Sequence, residues 1–64
     1  MNAAQVRMVL LREIQAEGSQ AAFAEKHDLS PSYVNDVLNE KRYPGAKILD
    51  ALGLEQIIVY RVKP

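Results

Sequence analysis

The stretch from Ser19 to Asn39, SQAAFAEKHDLSPSYVNDVLN, decides the fold of this chain. Its apolar residues follow helical spacing twice, and a short turn separates the two runs. The first run contains Phe23 and Ala24, and the second contains Val34 and Val37. The spacing therefore predicts two short helices that pack through narrow apolar sides.

The turn between these helices contains Asp28, Leu29, Ser30 and Pro31. Leu29 is its only apolar residue, so we expect its side chain to fill the angle between the helices. The Ser30 hydroxyl can cap a free N–H, and Pro31 at the first helical position loses no hydrogen bond. We therefore expect the second helix to run from Pro31 to about Glu40. Two short helices joined in this way match the helix-turn-helix of DNA-binding proteins.

The same stretch resembles the helix-turn-helix of the Cro and lambda-repressor-like family, also called the Xre type. The residues that carry the resemblance are Gln20, Ala24, Leu29, Ser30, Val34, Lys41, Arg42 and Pro44. Asp28 stands where the family usually has Gly, and Asp tolerates a left-handed conformation better than most other residues. The resemblance covers about residues 20–54. It implies a mainly α-helical class, with a small four-helix domain that binds DNA.

The remaining helices are predicted from apolar spacing and from their end signals. Ala3 to Glu17 predict an amphipathic helix that Gly18 ends. The first helix of the motif should run from about Gln20 to His27. Pro44 can occupy the first turn of a fourth helix, and Gly53 can end it. The inward stripe of the first helix should contain Ala3, Val6, Leu10 and Ile14.

Length and charge favour a single domain that works as a dimer. The 64 residues divide into a helical core, residues 1–54, and a tail, residues 55–64. A chain of this length buries only about 60% of its unfolded surface, and without Cys it has no disulfide, so oligomerisation is the common remaining source of stability. Eight basic and eight acidic residues argue against strong sequence-blind binding of nucleic acid. Few phosphate contacts per subunit again favour a homodimer.

The tail changes to the pattern of a β-strand. Its β-branched and aromatic residues make both faces of a strand apolar, while the rest of the chain offers no second strand. We expect one C-terminal strand that pairs antiparallel with its copy in a second subunit. An extended tail packed on the helices is the alternative. The predicted dimer interface contains Ile57, Ile58, Val59, Tyr60 and Val62.

The outward side of the second motif helix carries short polar side chains. Such residues suit a DNA groove better than solvent, where Lys and Glu are the usual surface residues. Asn35 can make two hydrogen bonds to an adenine, Ser32 can bond either base type, and Asp36 can accept from a cytosine amino group. Tyr33 can pack on a thymine methyl group or bond a phosphate. We predict base contacts from these four residues. Spacing alone does not decide between these contacts and a polar helix without a partner; the family resemblance favours DNA.

Phosphate contacts are predicted at the ends of the two motif helices. Free N–H groups and the positive end of the helix dipole attract a phosphate to the start of the first helix, where Gln20 can bond it. The alternative is an ordinary exposed first-turn Gln, and it is the resemblance that favours the phosphate contact. Lys41 and Arg42 follow the second helix and can contact phosphates there, although a solvated loop is common for a basic pair. The predicted phosphate contacts are Ser19, Gln20, Asn39, Lys41 and Arg42.

The sequence contains no catalytic or metal-binding constellation. His27 is the only His and there is no Cys, which argues against a zinc site. Gly18, Gly45 and Gly53 are isolated, so they do not form a phosphate-binding loop. We expect no enzyme activity, no metal, no cofactor and no small-molecule ligand. No apolar run approaches the roughly 20 residues that span a bilayer. We therefore expect no membrane partner. The resemblance to the Cro and lambda-repressor-like family implies a cytoplasmic, nucleoid-associated protein of bacterial or phage origin.

Two functions from different classes remain. The first is a Cro-like or repressor-like transcriptional regulator. As a homodimer it binds a near-palindromic double-stranded DNA operator, with the helix around residues 31–40 in the major groove. The second is an antitoxin-like or other protein-interaction module whose C-terminal strand adds to another protein's sheet. Neutral net charge favours the second function. The polar helix face with Lys41 and Arg42 favours the first, which is our prediction.

Overall fold

The structure, a computed structural model, describes residues 2–55 and Val62. Four α-helices occupy this part of the chain, so the protein is small and mainly α-helical, as predicted. The predicted strand residues Ile57 to Tyr60 lie outside the described residues, and Val62 is 94% exposed. No helix in residues 2–55 is long and apolar enough to cross a membrane. The helices are α1 Ala3–Glu17, α2 Gln20–Lys26, α3 Pro31–Leu38 and α4 Ala46–Ala51.

Local hydrogen bonds set both ends of α1. The Asn2 side chain accepts from the Gln5 N–H at 2.9 Å, and the Gln5 side chain accepts from the Asn2 N–H at 2.8 Å. This reciprocal capping box satisfies donors that the first turn leaves free. Gly18 ends the helix with φ at 98°, a conformation in which a residue without Cβ meets no penalty. The predicted bounds of α1 are confirmed. Its buried residues are Val6, Leu10 and Ile14, whereas Ala3 is only partly buried.

Serine hydroxyls begin the next two helices, as predicted. Ser19 Oγ accepts from the Ala22 N–H at 3.0 Å at the start of α2. Ser30 Oγ accepts from the Tyr33 N–H at 3.4 Å at the start of α3, where Pro31 is the first helical residue. A Ser cap of this kind stabilises a helix by about 1 kcal/mol relative to Ala.

A left-handed residue connects α2 to α3. Asp28 adopts a φ of 54°, the conformation expected for it in place of the usual Gly. The N–H groups of Asp28 and Leu29 donate to the carbonyls of Glu25 and Ala24 at 3.2 and 2.8 Å. This Schellman pattern satisfies the last carbonyls of α2 and reverses the chain. It carries Leu29 into the core, where the side chain is 8% exposed.

The same pattern ends α3 two residues earlier than predicted. Glu40 adopts a φ of 64° and therefore lies outside the helix, which stops at Leu38. The Lys41 N–H donates to the Asp36 carbonyl at 2.8 Å. Because this bond closes the last turn, the helix cannot extend through Glu40. Left-handed backbone costs a residue with a Cβ about 1–2 kcal/mol, and the carboxylate of Glu40 gains a bond to Arg7 at 2.7 Å.

The prediction that Pro44 lies in the first turn of α4 is wrong. Gly45 has extended backbone, with ψ at 179°, so it is the N-cap and α4 begins at Ala46. The Gly45 N–H donates to the Tyr33 hydroxyl at 2.8 Å, which holds this segment against α3. Pro44 therefore lies in the loop that leads to the cap.

The core takes side chains from all four helices. Gly53, with φ at 71°, ends α4 as predicted, and the Leu54 N–H donates to the Leu49 carbonyl at 2.8 Å. Each large apolar side chain contributes about 1.5–3 kcal/mol when fully buried. In residues 2–55 no polar or charged residue is buried. The largest fully buried side chains are Phe23, Leu10, Ile48, Val34 and Val37.

Candidate nucleic-acid interface

The outer side of α3 carries the polar surface that the sequence predicts. Val34 and Val37 are fully buried and fix the rotation of the helix. Residues on the opposite side of a helix with about 3.6 residues per turn must then face away from the core. Ser32, Asn35 and Asn39 are all exposed. The structure thus brings these three predicted contact residues together on one exposed face.

Two amides on this face are linked to each other. The Asn39 amide nitrogen donates to the Asn35 side-chain oxygen at 3.0 Å and to the Asn35 carbonyl at 2.9 Å. An amide oxygen has two lone pairs, and the Asn35 nitrogen has two donor hydrogens. Asn35 therefore keeps the acceptor and donor that a two-bond contact with adenine requires. The bond from Asn39 also fixes the orientation of the Asn35 amide.

Tyr33 and Asp36 lie on one flank of α3 rather than on its most exposed face. Both are only partly exposed. The Tyr33 hydroxyl accepts from the Gly45 N–H, and the Asp36 carboxylate lies 3.7 Å from Nε of Arg42. The guanidinium carbon of Arg42 lies 5.8 Å from the centre of the Tyr33 ring. The structure thus places two predicted base contacts beside a predicted phosphate contact.

A cleft lies between α1 and the segment that follows α3. Its volume is about 320 Å³. Its cationic groups are Arg7, Lys41 and Arg42, and the exposed Tyr43 ring forms part of the rim. Glu40 also lines the cleft and pairs with Arg7, so Lys41 and Arg42 leave the lining with a net positive charge that attracts an anion.

Arg7 is the residue of this cleft that the sequence analysis missed. It follows the buried Val6, its side chain is only 19% exposed, and its Nη2 donates to the Glu40 carboxylate at 2.7 Å. The sequence feature that could have identified Arg7 is its position at the edge of the apolar stripe of α1. A cation in that position needs a partner when its stem is buried.

The predicted contacts at the start of α2 have a different arrangement. Ser19 Oγ already accepts the capping bond from Ala22, so its hydroxyl proton is the group that remains for an outside acceptor. Gln20 is partly buried at the first position of α2. Ser19 and Gln20 therefore lie at the start of α2. The other predicted phosphate contacts, Asn39, Lys41 and Arg42, follow the end of α3.

Residues 2–55 contain no group of three or more His, Asp or Glu side chains that could hold a metal ion. Comparison with known proteins adds no family assignment. No protein-family model, curated protein or solved structure matches the chain.

Proposed function

We propose that this protein is a sequence-specific DNA-binding regulator of transcription that inserts α3 into the major groove. One observation carries the proposal: a helix fixed by two buried valines presents Ser32, Asn35 and Asn39 on its opposite, exposed side. The major groove of B-DNA is wide enough for an α-helix, and base edges there carry a distinct pattern of donors and acceptors. Amide and hydroxyl side chains match that pattern.

The connection between α2 and α3 supports the same proposal. The left-handed Asp28 and the buried Leu29 fix the angle between the two helices. A base-reading helix must be held rigidly, because a small displacement separates donors from acceptors. We propose that α1 to α4 form a helix-turn-helix domain of the lambda-repressor-like type, with α2 crossing the DNA backbone.

Local charge near α3 is more favourable to DNA than the net charge of zero indicates. The two carboxylates nearest the end of α3 each have an arginine partner: Asp36 with Arg42, and Glu40 with Arg7. Such pairing weakens the repulsion between these carboxylates and phosphate. Lys41 then adds positive charge at the same end of the helix.

A homodimer belongs to the proposal. Few cations per subunit limit the number of phosphate contacts, and two subunits double that number. The apolar pattern of Ile57 to Val62 supports antiparallel pairing of two tails, which would make an isologous interface. The two α3 helices would then lie about 34 Å apart and read a near-palindrome. Sedimentation at concentrations of tens of micromolar should give a dimer, whereas Val59→Pro should give a monomer that binds DNA more weakly.

Selection from a random duplex library tests the function directly. The purified full chain should enrich a near-palindromic site with half-site centres about 10 base pairs apart. Asn35→Ala should lose enrichment at one position in each half-site. Gln15→Ala, an exposed amide on α1, is the matched control and should select the same site as the wild type. Failure of the wild type to enrich any sequence would overturn the proposal.

A protein-interaction module is the second candidate, and α1 provides the observation that favours it. Met8 and Leu11 are 66% and 48% exposed on this helix. Exposed apolar residues, together with the neutral net charge, are more typical of a protein partner than of DNA. This function predicts a chain that selects no DNA site and whose tail forms a strand with a different protein.

A further inference from the structure

We propose that Tyr33 is a positioning residue that holds the guanidinium group of Arg42 on the flank of α3, where it can bind a DNA phosphate. The inference rests on the proposed function. It gives Tyr33 a role other than the base contact that the sequence predicts. Three residue pairs make the contacts that support it: Tyr33 with Gly45, Tyr33 with Arg42, and Asp36 with Arg42.

The first contact fixes Tyr33 itself. The ring packs against the hydrophobic core, and the hydroxyl accepts from the Gly45 N–H at 2.8 Å. A Cβ atom at position 45 would lie 2.7 Å from the Tyr33 hydroxyl, so the two segments approach as closely as a glycine allows. Tyr33 therefore closes the segment between α3 and α4, and its ring has little freedom to turn towards a base.

The second and third contacts fix Arg42. Its guanidinium carbon lies 5.8 Å from the Tyr33 ring centre, within the range of a cation–π interaction. Its Nε lies 3.7 Å from Asp36 Oδ2, and its backbone N–H donates to the Asp36 carbonyl at 3.3 Å. The backbone and the side chain of Arg42 are thus both held on one flank of α3.

These contacts leave the phosphate-binding end of Arg42 accessible. Cζ of Arg42 lies over the Tyr33 ring, and the guanidinium nitrogen that lies near Asp36 is Nε rather than a terminal nitrogen. An arginine can bind a phosphate through two parallel N–H bonds. The Arg42 side chain remains 62% exposed. A lysine has neither the planar group nor the paired donors.

A double-mutant cycle tests the inference with a labelled random-sequence duplex of about 30 base pairs, because a phosphate contact does not depend on base sequence. Each phosphate contact contributes about 0.9 to the slope of log K against log salt, so Arg42→Gln should weaken binding about eightfold near 0.1 M salt. Tyr33→Leu should weaken binding by a smaller factor when Arg42 is present and should have no effect in the Arg42→Gln background.

Lys41→Gln is the matched control for the cycle. Lys41 follows the same helix but is not among the groups held by Tyr33, so its effect and that of Tyr33→Leu should multiply. Arg42→Lys tests the inference with Tyr33 unchanged, so its result does not depend on whether a Tyr33 variant folds. This substitution keeps the charge and removes the planar group. It should bind more weakly than the wild type but more tightly than Arg42→Gln, because lysine keeps the counterion release and loses only the planar group with its paired donors. Affinity of Arg42→Lys equal to that of the wild type, or multiplicative effects of Tyr33→Leu and Arg42→Gln, would overturn the inference.

NMR of the free protein separates this inference from the proposed function. The Arg42 side-chain protons should show an upfield ring-current shift that Tyr33→Phe keeps and Tyr33→Leu loses. The Gly45 amide should exchange faster in both variants, because both lose the hydroxyl. If the wild type binds duplex and the cycle is multiplicative, only the positioning role fails. If the wild type binds no duplex while the ring-current shift is present, the proposed function fails and the phosphate role of Arg42 fails with it.

Discussion

The two turns that end α2 and α3 share a backbone pattern but have different surroundings. Asp28 and Glu40 both adopt positive φ, at 54° and 64°. The next N–H in each turn donates back into the helix at 2.8 Å. The first turn delivers Leu29 to the core, whereas the second delivers Lys41 to the surface. The residue that follows the left-handed position therefore decides whether the turn adds a side chain to the core or to the surface.

The two turns also differ in strain. Aspartate tolerates left-handed backbone better than glutamate, because its short polar side chain can bond locally. Glu40 occupies the less suitable conformation beside the cationic cleft, and its carboxylate bonds Arg7. Residues with strained backbone are found most often at functional sites, where the surrounding structure holds them in place. This contrast predicts which changes lower stability and which lower binding.

The largest expected effect is on stability and comes from truncating Leu29, the buried residue of the first turn. Leu29→Ala should lower the free energy of unfolding by about 2–5 kcal/mol, the usual loss for a buried leucine. Urea denaturation followed by circular dichroism measures this change. Lys41→Ala, the equivalent residue of the second turn, should change stability by less than about 0.5 kcal/mol. Equal losses of unfolding free energy in both variants would show that the two turns do not differ in their contribution to the core.

The outer face between the two turns should govern specificity. Asn35→Ala and Ser32→Ala should each weaken binding to the selected site by about 1–3 kcal/mol, because a lost base contact costs that much. Binding to random duplex should change little. Lys41→Ala and Arg42→Ala should instead weaken binding to every sequence and lower the salt slope by about one unit each. If all four variants lose affinity equally on random DNA, the division into base and phosphate contacts is wrong.

A smaller change tests the strain in the second turn. Glu40→Gly should stabilise the fold by up to about 1 kcal/mol, because glycine removes the left-handed penalty, whereas the ion pair with Arg7 contributes little when its Glu40 side is 70% exposed. Asp28→Gly should gain less, since aspartate suits its conformation better. Urea midpoints of both variants decide the order. Destabilisation by Glu40→Gly would show that the bond to Arg7 outweighs the backbone strain.

The smallest effect concerns an exposed ion pair between the last residue of α1 and the last residue of α2. Glu17 accepts a hydrogen bond from Lys26 at 2.5 Å, and this bond, with the charge of Glu17, raises the pKa of Lys26. The folded pKa lies above the unfolded value, so the contribution is present below about pH 10.5 and is lost as pH rises through the folded pKa. Lys26→Gln should thus lower the urea midpoint slightly at neutral pH and not above the folded pKa. A large loss at neutral pH would contradict this assignment, because exposed pairs contribute little.

The helices could be predicted from the sequence because local chemistry sets their ends. Gly18 and Gly53 stop helices, Ser19 and Ser30 cap them, and buried residues recur at helical spacing. The early end of α3 could not be predicted in this way. Nothing local to Glu40 favours positive φ; the bond from the Lys41 N–H into α3 closes the turn there.

The site was predictable where exposure follows from rotation of a helix. Asn35 is outward because Val34 and Val37 are inward. The bond between Tyr33 and Gly45 was not predictable, because these residues are separated by a loop whose path the sequence does not specify. The pairing of Arg7 with Glu40 was not predictable either, because it joins α1 to the end of α3, and the sequence does not specify how these segments approach each other.

Amide chemical shifts during a titration with the selected duplex test the central claim most directly. If α3 enters the major groove, the largest shifts should lie in residues 32–42, with small shifts at Met8 and Leu11 on α1. The same titration with Asn35→Ala should require more duplex to reach saturation. Largest shifts on the α1 surface, or no shifts at saturating duplex, would contradict the account that α3 reads DNA.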